Sequence, residues 1–435
     1  MITIDEYKSR RLKLAGSLPD DSVAVIFAAS EVIRNGDASY RFRQNSNFYY
    51  LTGFNEPDAV LVITSGDNSK SILFNRPLDK AAEQWTGKRL GQENAKISLG
   101  FDEAFILADM PMKLLSLLAG CKSIYYFFAE HANWRKYLYP AVIELKNSIR
   151  RGVIAPSVFA DLEPIISEMR VFKSAAEVEL IKKAVSVSVF AHKRAIRKAQ
   201  DLKYESELEA ELLYEMHRNG CQSMAYESIV AAGNNACTLH YIENNQPLKT
   251  NSLVLIDAGG EYQNYAADIT RAFPVSGRFS EEQKQIYNLV LKAQRTGIEL
   301  IRPGCFWNEI QNAILKVLTT GLVELGILSG NIDNLIKQEA YKPFYMHGSG
   351  HYLGLDVHDA GQYKIDGNWR KLAAGMVLTV EPGLYFIQGL QNIAEKWQGI
   401  GIRIEDDILV TEDGYENLSA GLMVEIDEIE AYMRG

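Results

Sequence analysis

The sequence predicts an α+β protein of two domains, a smaller α/β domain at residues 1–172 and a larger α+β domain at residues 173–435. Three observations carry that expectation. A chain of 435 residues exceeds what one ordinary hydrophobic core organises. Phe172-Lys173-Ser174-Ala175-Ala176-Glu177 places a capping box ahead of a long periodic helix, with Ser174 at the N-cap and Glu177 at the third helical position. Before that point short apolar strands alternate with helices, whereas after it long amphipathic helices are interleaved with pairs of strands.

In the first domain a polar helix is expected over residues 5–18, followed by a buried-type strand at 23–28. Further β-rich runs lie at 48–51, 59–64, 71–74 and 123–128, the last preceded by an apolar helix at 112–118. The run from Tyr40 to Phe54 is rich in aromatic residues and is expected as a strand with cross-strand aromatic pairs. That reading leaves its Arg, Gln and Asn residues unexplained. In the second domain Val178, Ile181, Val185 and Val189 form one apolar stripe, and His192 follows on it as a packed or edge residue. His217 precedes Gly220, a helix C-cap, where partial positive charge is favoured. His131 reads as a polar loop residue. Ser280 and Gln283 form a second capping box, opening a helix that stops at Pro303-Gly304, and another helix is expected over 307–325.

Composition narrows the class of function. The hydrophobic share of 47% and charged share of 23% are ordinary for a globular protein. A net charge of −9 argues against nucleic acid as a partner, because phosphate binding needs a basic face. Met1-Ile2-Thr3-Ile4-Asp5-Glu6 lacks the basic and apolar regions of a signal peptide, and no run approaches the ~18 apolar residues of a membrane span. Four scattered cysteines with no C-x-x-C pair read as reduced thiols. The expectation is a cytoplasmic protein with neither membrane nor nucleic-acid partner.

Chemistry concentrates in the second domain. His347-Gly348-Ser349-Gly350-His351-Tyr352-Leu353-Gly354-Leu355-Asp356-Val357-His358-Asp359 holds three of the seven histidines. His347 and His351 share the i,i+4 spacing of a helical zinc motif, but Gly348 stands in place of the glutamate that such a site needs. Three glycines also disfavour a helix. The segment reads instead as a glycine loop running into a short strand at 352–357. On a straight strand side chains alternate, so His351 and His358 are expected to point to opposite faces.

Carboxylates on apolar strands complete the pattern. Leu253-Val254-Leu255-Ile256-Asp257 ends in one, and Ala267-Asp268-Ile269-Thr270 returns another after a turn expected at Tyr262-Gln263. Glu381 follows Val377-Leu378-Thr379-Val380, and Glu405 follows Gly401-Ile402-Arg403-Ile404, each expected on an apolar strand. Two facing carboxylates repel, and a buried acid without a partner costs several kcal/mol. A bound cation removes both penalties. Oxygen ligands with one imidazole suit Mn²⁺, Co²⁺, Fe²⁺ or Zn²⁺. Four carboxylates balance two divalent ions, which favours a two-metal centre and hydrolysis by a bridging hydroxide.

Asp257, Asp268, His351, Glu381 and Glu405, in that order and spacing, resemble the metal ligands of the methionine-aminopeptidase, prolidase and aminopeptidase P superfamily, the pita-bread metallopeptidases. The histidine stretch resembles that superfamily's proline-peptidase signature, with Ser349 where an apolar residue is usual. Arg43-Gln44-Asn45-Ser46-Asn47-Phe48-Tyr49-Tyr50-Leu51-Thr52-Gly53 and Trp85-Thr86-Gly87-Lys88-Arg89-Leu90-Gly91 are similar to the N-terminal domain of the aminopeptidase P branch.

The resemblance implies a pita-bread catalytic domain after the α/β domain, two divalent ions with Mn²⁺ as the expected metal, and release of the first residue from peptides with proline second. It implies that Asp257 chelates one ion, Asp268 and Glu405 bridge both, and His351 and Glu381 complete the other. Glu381 would act as general base. His240 and His358 would face the substrate and assist proton movement, His347 would stand near the oxyanion, and Arg403 would orient the carboxylates. Trp85, Asp37 and Arg150 align with residues that approach the substrate. Arg370 has no assured role, because the segment from His358 to Glu381 is a residue longer than usual. Homo-oligomers, dimer or tetramer, are the family's habit. The nearest rival is prolidase, which takes dipeptides. A non-catalytic binding member is a different class of answer, and the full ligand set disfavours it.

Overall fold

The computed structural model describes residues 1–435 and divides into two compact units, Met1–Arg170 and Val171–Gly435. In the first unit the buried strand Ser22–Phe27 lies inside a six-stranded mixed sheet, antiparallel to Val60–Thr64 and parallel to Ser123–Tyr126. Val23, Val25, Val62, Ile72, Phe74 and Ile124 line one core with the helix Met110–Leu118, whose Met110, Leu114 and Leu118 recur at helical spacing.

One expected strand of this unit is a helix. Ser46–Thr52 is helical, with the Asn45 side chain accepting from the Phe48 N–H at 3.0 Å and Gly53 in the left-handed region at φ 64°. Polar ends, rather than the aromatic interior, decide the matter. The neighbouring polar residues then have structural work. Gln44, 1% exposed, accepts from Ala29 N and Asn45 N and donates to the Phe54 and Glu56 carbonyls, pinning both ends of the segment. His131 opens a short helical turn, His131–Asn133, rather than lying in a loop.

The second unit begins with the helix Ala175–Lys198, and both halves of its capping box form at Ser174 and Glu177. Ser280 and Gln283 cap Glu281–Glu299 in the same way, and Trp307–Glu324 follows. His192 is fully buried on the first of these helices. His217 Nδ1 lies 3.1 Å from the Cys221 carbonyl across the turn at Gly220. All four cysteines are free thiols.

The sheets of this unit place the acids. Leu253–Asp257 is the central strand of three, pairing with Ile229–Ala232 on one side and Thr270–Pro274 on the other. The connecting turn sits at Gln263-Asn264, both at positive φ, one residue later than expected. Asp257 therefore faces Thr270, while Asp268 lies outside the strand. Val377–Val380 pairs with Asp406–Val410, and Gly383–Phe386 pairs with Ile400–Arg403. Glu381 and Glu405 occupy the breaks between these strand pairs rather than the strands themselves. Pro382, which has no N–H to give a ladder, marks one break. A single bridge between Thr270 and Glu405 joins the two sheet systems.

Candidate metal centre

The carboxylates converge on one cavity of about 740 Å³, whose lining includes Asp257, Asp268, His351, Glu381 and Glu405 together with His240, His347, His358 and Arg403. Two glycines let the backbones close up behind it. A Cβ on Gly259 would stand 1.6 Å from the Ala267 carbonyl oxygen, and one on Gly350 would stand 2.0 Å from that of Thr379.

The acids are held by a shared network of side-chain and main-chain partners. The Tyr226 hydroxyl lies 2.6 Å from Asp257 Oδ1 and 2.5 Å from Asp268 Oδ1, so one phenol spans both carboxylates. Arg403 pairs with Asp257 and also donates to the Tyr385 hydroxyl at 3.0 Å and to Thr270 Oγ1 at 3.2 Å. Thr270 Oγ1 in turn donates to Glu405 Oε2 at 2.6 Å, and the Glu405 N–H donates to the Thr270 carbonyl at 3.1 Å. The Asp268 N–H donates to the fully buried Asp407 at 3.0 Å. The Glu381 N–H donates to the Ser349 carbonyl at 2.9 Å.

His351 supplies the test of metal fit. Its Nδ1 is 3.0 Å from the Tyr352 carbonyl, which can only accept, so Nδ1 carries a proton and Nε2 is the atom left to take a cation or a second proton. Nε2 faces Asp268 Oδ2 at 3.4 Å and Glu381 Oε1 at 3.7 Å, beyond ordinary hydrogen-bond range. Acceptors facing acceptors in a buried pocket require a proton or a cation between them. Donor atoms of Asp268, His351 and Glu405 all lie within 4.8 Å of one another. Oxygen donors with one imidazole fit a hard or borderline divalent ion. Without such an ion the site is electrostatically unbalanced. Burial, then the charge of Asp257, raises the Asp268 pKa, and burial pushes Glu381 up to about 7. Burial and then Asp268 drive Glu405 well above the carboxylate range. Burial would lower His351, but Asp268 and Glu381 overcome it and push the imidazole up to about 9.

The remaining histidines separate by environment. His347 has both ring nitrogens engaged, Nδ1 by the Gly348 carbonyl at 2.7 Å and Nε2 by the Tyr385 hydroxyl at 2.8 Å. Burial and the Arg403 charge lower its pKa to about 3, so it stays neutral. His240 and His358 are exposed on the cavity wall. The expected strand at 352–357 does not form: only Tyr352 bridges, to Leu378, and the chain then bends through residue 358. His358 consequently turns back beside His351 instead of pointing to the opposite face.

Trp85, Asp37 and Arg150 all belong to the first unit and are exposed there, Trp85 at 89% on the helix Lys80–Thr86. Arg370 is buried outside the cavity lining, with its guanidinium 5.4 Å from the Phe172 ring centroid. Sequence reasoning missed Tyr226, Thr270, Tyr385 and Asp407. Only Thr270 carried a signal, two residues beyond Asp268; its place opposite Asp257 follows from the turn falling one residue later than expected. Ser349 is buried in a polar cluster, with its hydroxyl 2.7 Å from the Tyr345 hydroxyl and its N–H donating to Gln311 Oε1 at 2.7 Å.

The family model for metallopeptidase family M24 matches residues 179–412, and that for the aminopeptidase P N-terminal domain matches residues 7–125. The chain is 44% identical to the Xaa-Pro aminopeptidase of Escherichia coli K12, covering 99% of this chain and 98% of that protein. It is 42% identical to the Xaa-Pro aminopeptidase of Haemophilus influenzae, covering 99% and 97%. Among solved structures, Pseudomonas aeruginosa aminopeptidase PepP superposes with a TM-score of 0.96 at 44% identity, over 100% of this chain and 98% of that one. A zinc-substituted E. coli aminopeptidase P in complex with product gives 0.97 at the same identity and coverage. No helix here is long and apolar enough to cross a membrane.

Proposed function

Because the chain belongs to metallopeptidase family M24, we propose that it is an Xaa-Pro aminopeptidase, releasing the N-terminal residue from peptides with proline in the second position. One observation carries the reading: four carboxylates and the outward Nε2 of His351 converge on a single cavity whose wall bears three further histidines. Asp257, Asp268, His351, Glu381 and Glu405 would hold two divalent ions, for which Mn²⁺ is our assignment. When bound, such ions supply Lewis-acid activation of the attacking water and polarise the scissile carbonyl.

The chain's own groups do the rest. Glu381 stands between His351 and His347, at 3.7 and 3.6 Å, and is placed to take a proton from the attacking water and return it to the leaving nitrogen. Proline's nitrogen has no N–H, so it must gain a proton as the amide bond breaks; His358, on the wall beside His351, is the second group that can move one. With both nitrogens of His347 engaged, the oxyanion donor falls to His240, and His347 serves to hold Tyr385 against Arg403. Ile229, Leu239, Ile242 and Val357 give the cavity an apolar wall suited to a pyrrolidine ring. If Trp85, Asp37 and Arg150 contact substrate, as the resemblance implies, alanine at each raises KM more than it lowers kcat.

Residues 1–172 serve in this proposal as the N-terminal domain and 173–435 as the catalytic domain of a cytoplasmic dimer or tetramer; light scattering tests the assembly. The deciding assay titrates Mn²⁺ into metal-free protein and compares an Xaa-Pro-Yaa tripeptide with the Xaa-Pro dipeptide. Preferential tripeptide cleavage that follows metal loading supports the proposal. Preference for the dipeptide makes it a prolidase, and no hydrolysis with bound metal overturns both.

A further inference from the structure

Lys173 and Asp359 form an ion pair at 2.9 Å in which both side chains are only 1% exposed. Neither lines the cavity. A charge pair so fully removed from water is weak as a source of stability, because desolvating both ions offsets their attraction. Its place in the chain is more informative than its energy. Asp359 directly follows His358, at the end of a segment, residues 352–359, that makes one bridge and otherwise bends. The segment's near end is also tied to neighbouring strands, the Leu353 N–H donating to the Val377 carbonyl at 3.0 Å and the Gly354 carbonyl accepting from the Ala266 N–H at 2.8 Å. No ladder continues to its far end, which must be set by other bonds.

Asp359 supplies them. Its N–H donates to the Tyr352 carbonyl at 2.8 Å, closing the loop end to end, and its Oδ1 accepts from the Asp356 N–H at 3.3 Å. Its Oδ2 takes the Lys173 ammonium. Gly354 packs directly beneath: a Cβ there would stand 2.3 Å from Asp359 Oδ2 and 3.0 Å from Lys173 Cε. Lys173 itself is fixed. It immediately precedes the N-cap Ser174, and its N–H donates to the Gly375 carbonyl at 2.8 Å, two residues before the strand Val377–Val380.

We propose that Lys173 and Asp359 are positioning residues that hold the 352–359 loop closed and thereby set the His358 imidazole against His351 and the cavity. This rests on the function proposed above for its kinetic readout, and on geometry alone for its spectroscopic one.

The test is a double-mutant cycle on peptide hydrolysis combined with NMR of the imidazoles in zinc-loaded protein. Lys173→Met alone leaves a buried carboxylate uncompensated, so the informative variant is Lys173→Met/Asp359→Asn, which removes both charges together. Lys173→Arg, which keeps the pair but displaces the carboxylate, replaces it should the double variant fail to fold. Displacement of a proton-moving group by about 1 Å can cost ~100-fold in rate. The expected result is unchanged metal content, kcat lowered about tenfold or more with a smaller change in KM, and a shifted His358 resonance. His358→Ala should then cost far less in the variant than in the parent chain. Wild-type kcat in a folded, metal-loaded variant, or full additivity with His358→Ala, overturns the proposal. Should the parent chain hydrolyse no Xaa-Pro-Yaa peptide, the activity assignment fails, and an unmoved His358 resonance in the variant then overturns the clamp.

Discussion

The imidazoles of His351 and His358 lie with ring centroids 4.3 Å apart at an interplanar angle of 71°, although seven residues separate them. One ring turns its Nε2 toward Asp268 and Glu381. The other opens onto the wall, where partial desolvation and then its neighbour His351 lower its pKa. Contact between the rings does not make their roles alike. His351→Ala is expected to lose one of two bound ions, read by elemental analysis after dialysis. His358→Ala is expected to keep both ions and lose about 10²- to 10⁴-fold in rate, the usual range for a lost acid–base group. Equal metal loss in both variants would refute the distinction.

The hydroxyl of Tyr226, on the cavity wall, lies within hydrogen-bond reach of two carboxylates and can give its one proton to either. Burial, then the charges of Asp257 and Asp268, raise its pKa well above the phenol range, so it remains a donor at every working pH. Tyr226→Phe keeps the ring and removes the donor. Partners that orient metal ligands are worth about 10- to 100-fold in affinity, and a loss of that order is expected in Mn²⁺ titrations followed by calorimetry.

Local chemistry made part of this architecture legible. The capping boxes at Ser174 and Ser280 depend on residues three apart, and Leu253–Asp257 is apolar up to its terminal acid. Where sequence reading failed, the deciding contact came from far along the chain or from an unweighted end. Asn45 and Gly53 turn an aromatic run into a helix. Residues 352–357 resemble a strand in composition, yet pairing with neighbouring strands stops after Tyr352, Leu353 and Gly354, and the loop closes on Asp359. Tyr226 lies 31 residues from Asp257 and 42 from Asp268, with no motif around it to mark it.

His192 is fully buried, with Nε2 2.9 Å from the Ala258 carbonyl and Nδ1 without a partner. Burial lowers its pKa to about 4 from the usual 6.5. The unfolded chain therefore binds more protons than the native one between those values, so this group's contribution is present above pH 6.5 and is lost as pH falls through 4. The shift corresponds to a contribution on the order of 3 kcal/mol. His192→Gln keeps a donor for Ala258 and cannot titrate. Urea midpoints of metal-free protein at pH 7.5 and 4.5 should fall less in the variant than in the parent.

Glu130, in the first unit, behaves with the opposite sign. Burial raises its pKa to about 7 from 4.5, against the weaker pull of the Asn133 side chain. Here the native state binds more protons than the unfolded chain between 4.5 and 7. The protonated acid's contribution is thus complete below 4.5 and lost as pH rises through 7, leaving a charged, poorly solvated carboxylate at pH 8. Glu130→Gln keeps the shape and the amide can still pair with Asn133. The variant should match the parent below pH 4.5 and exceed it at pH 8 by about 1–2 kcal/mol, after allowance for partial solvent screening. Thermal unfolding of both proteins across that range checks it: curves that stay parallel would show that Glu130 titrates alike in the native and unfolded chains.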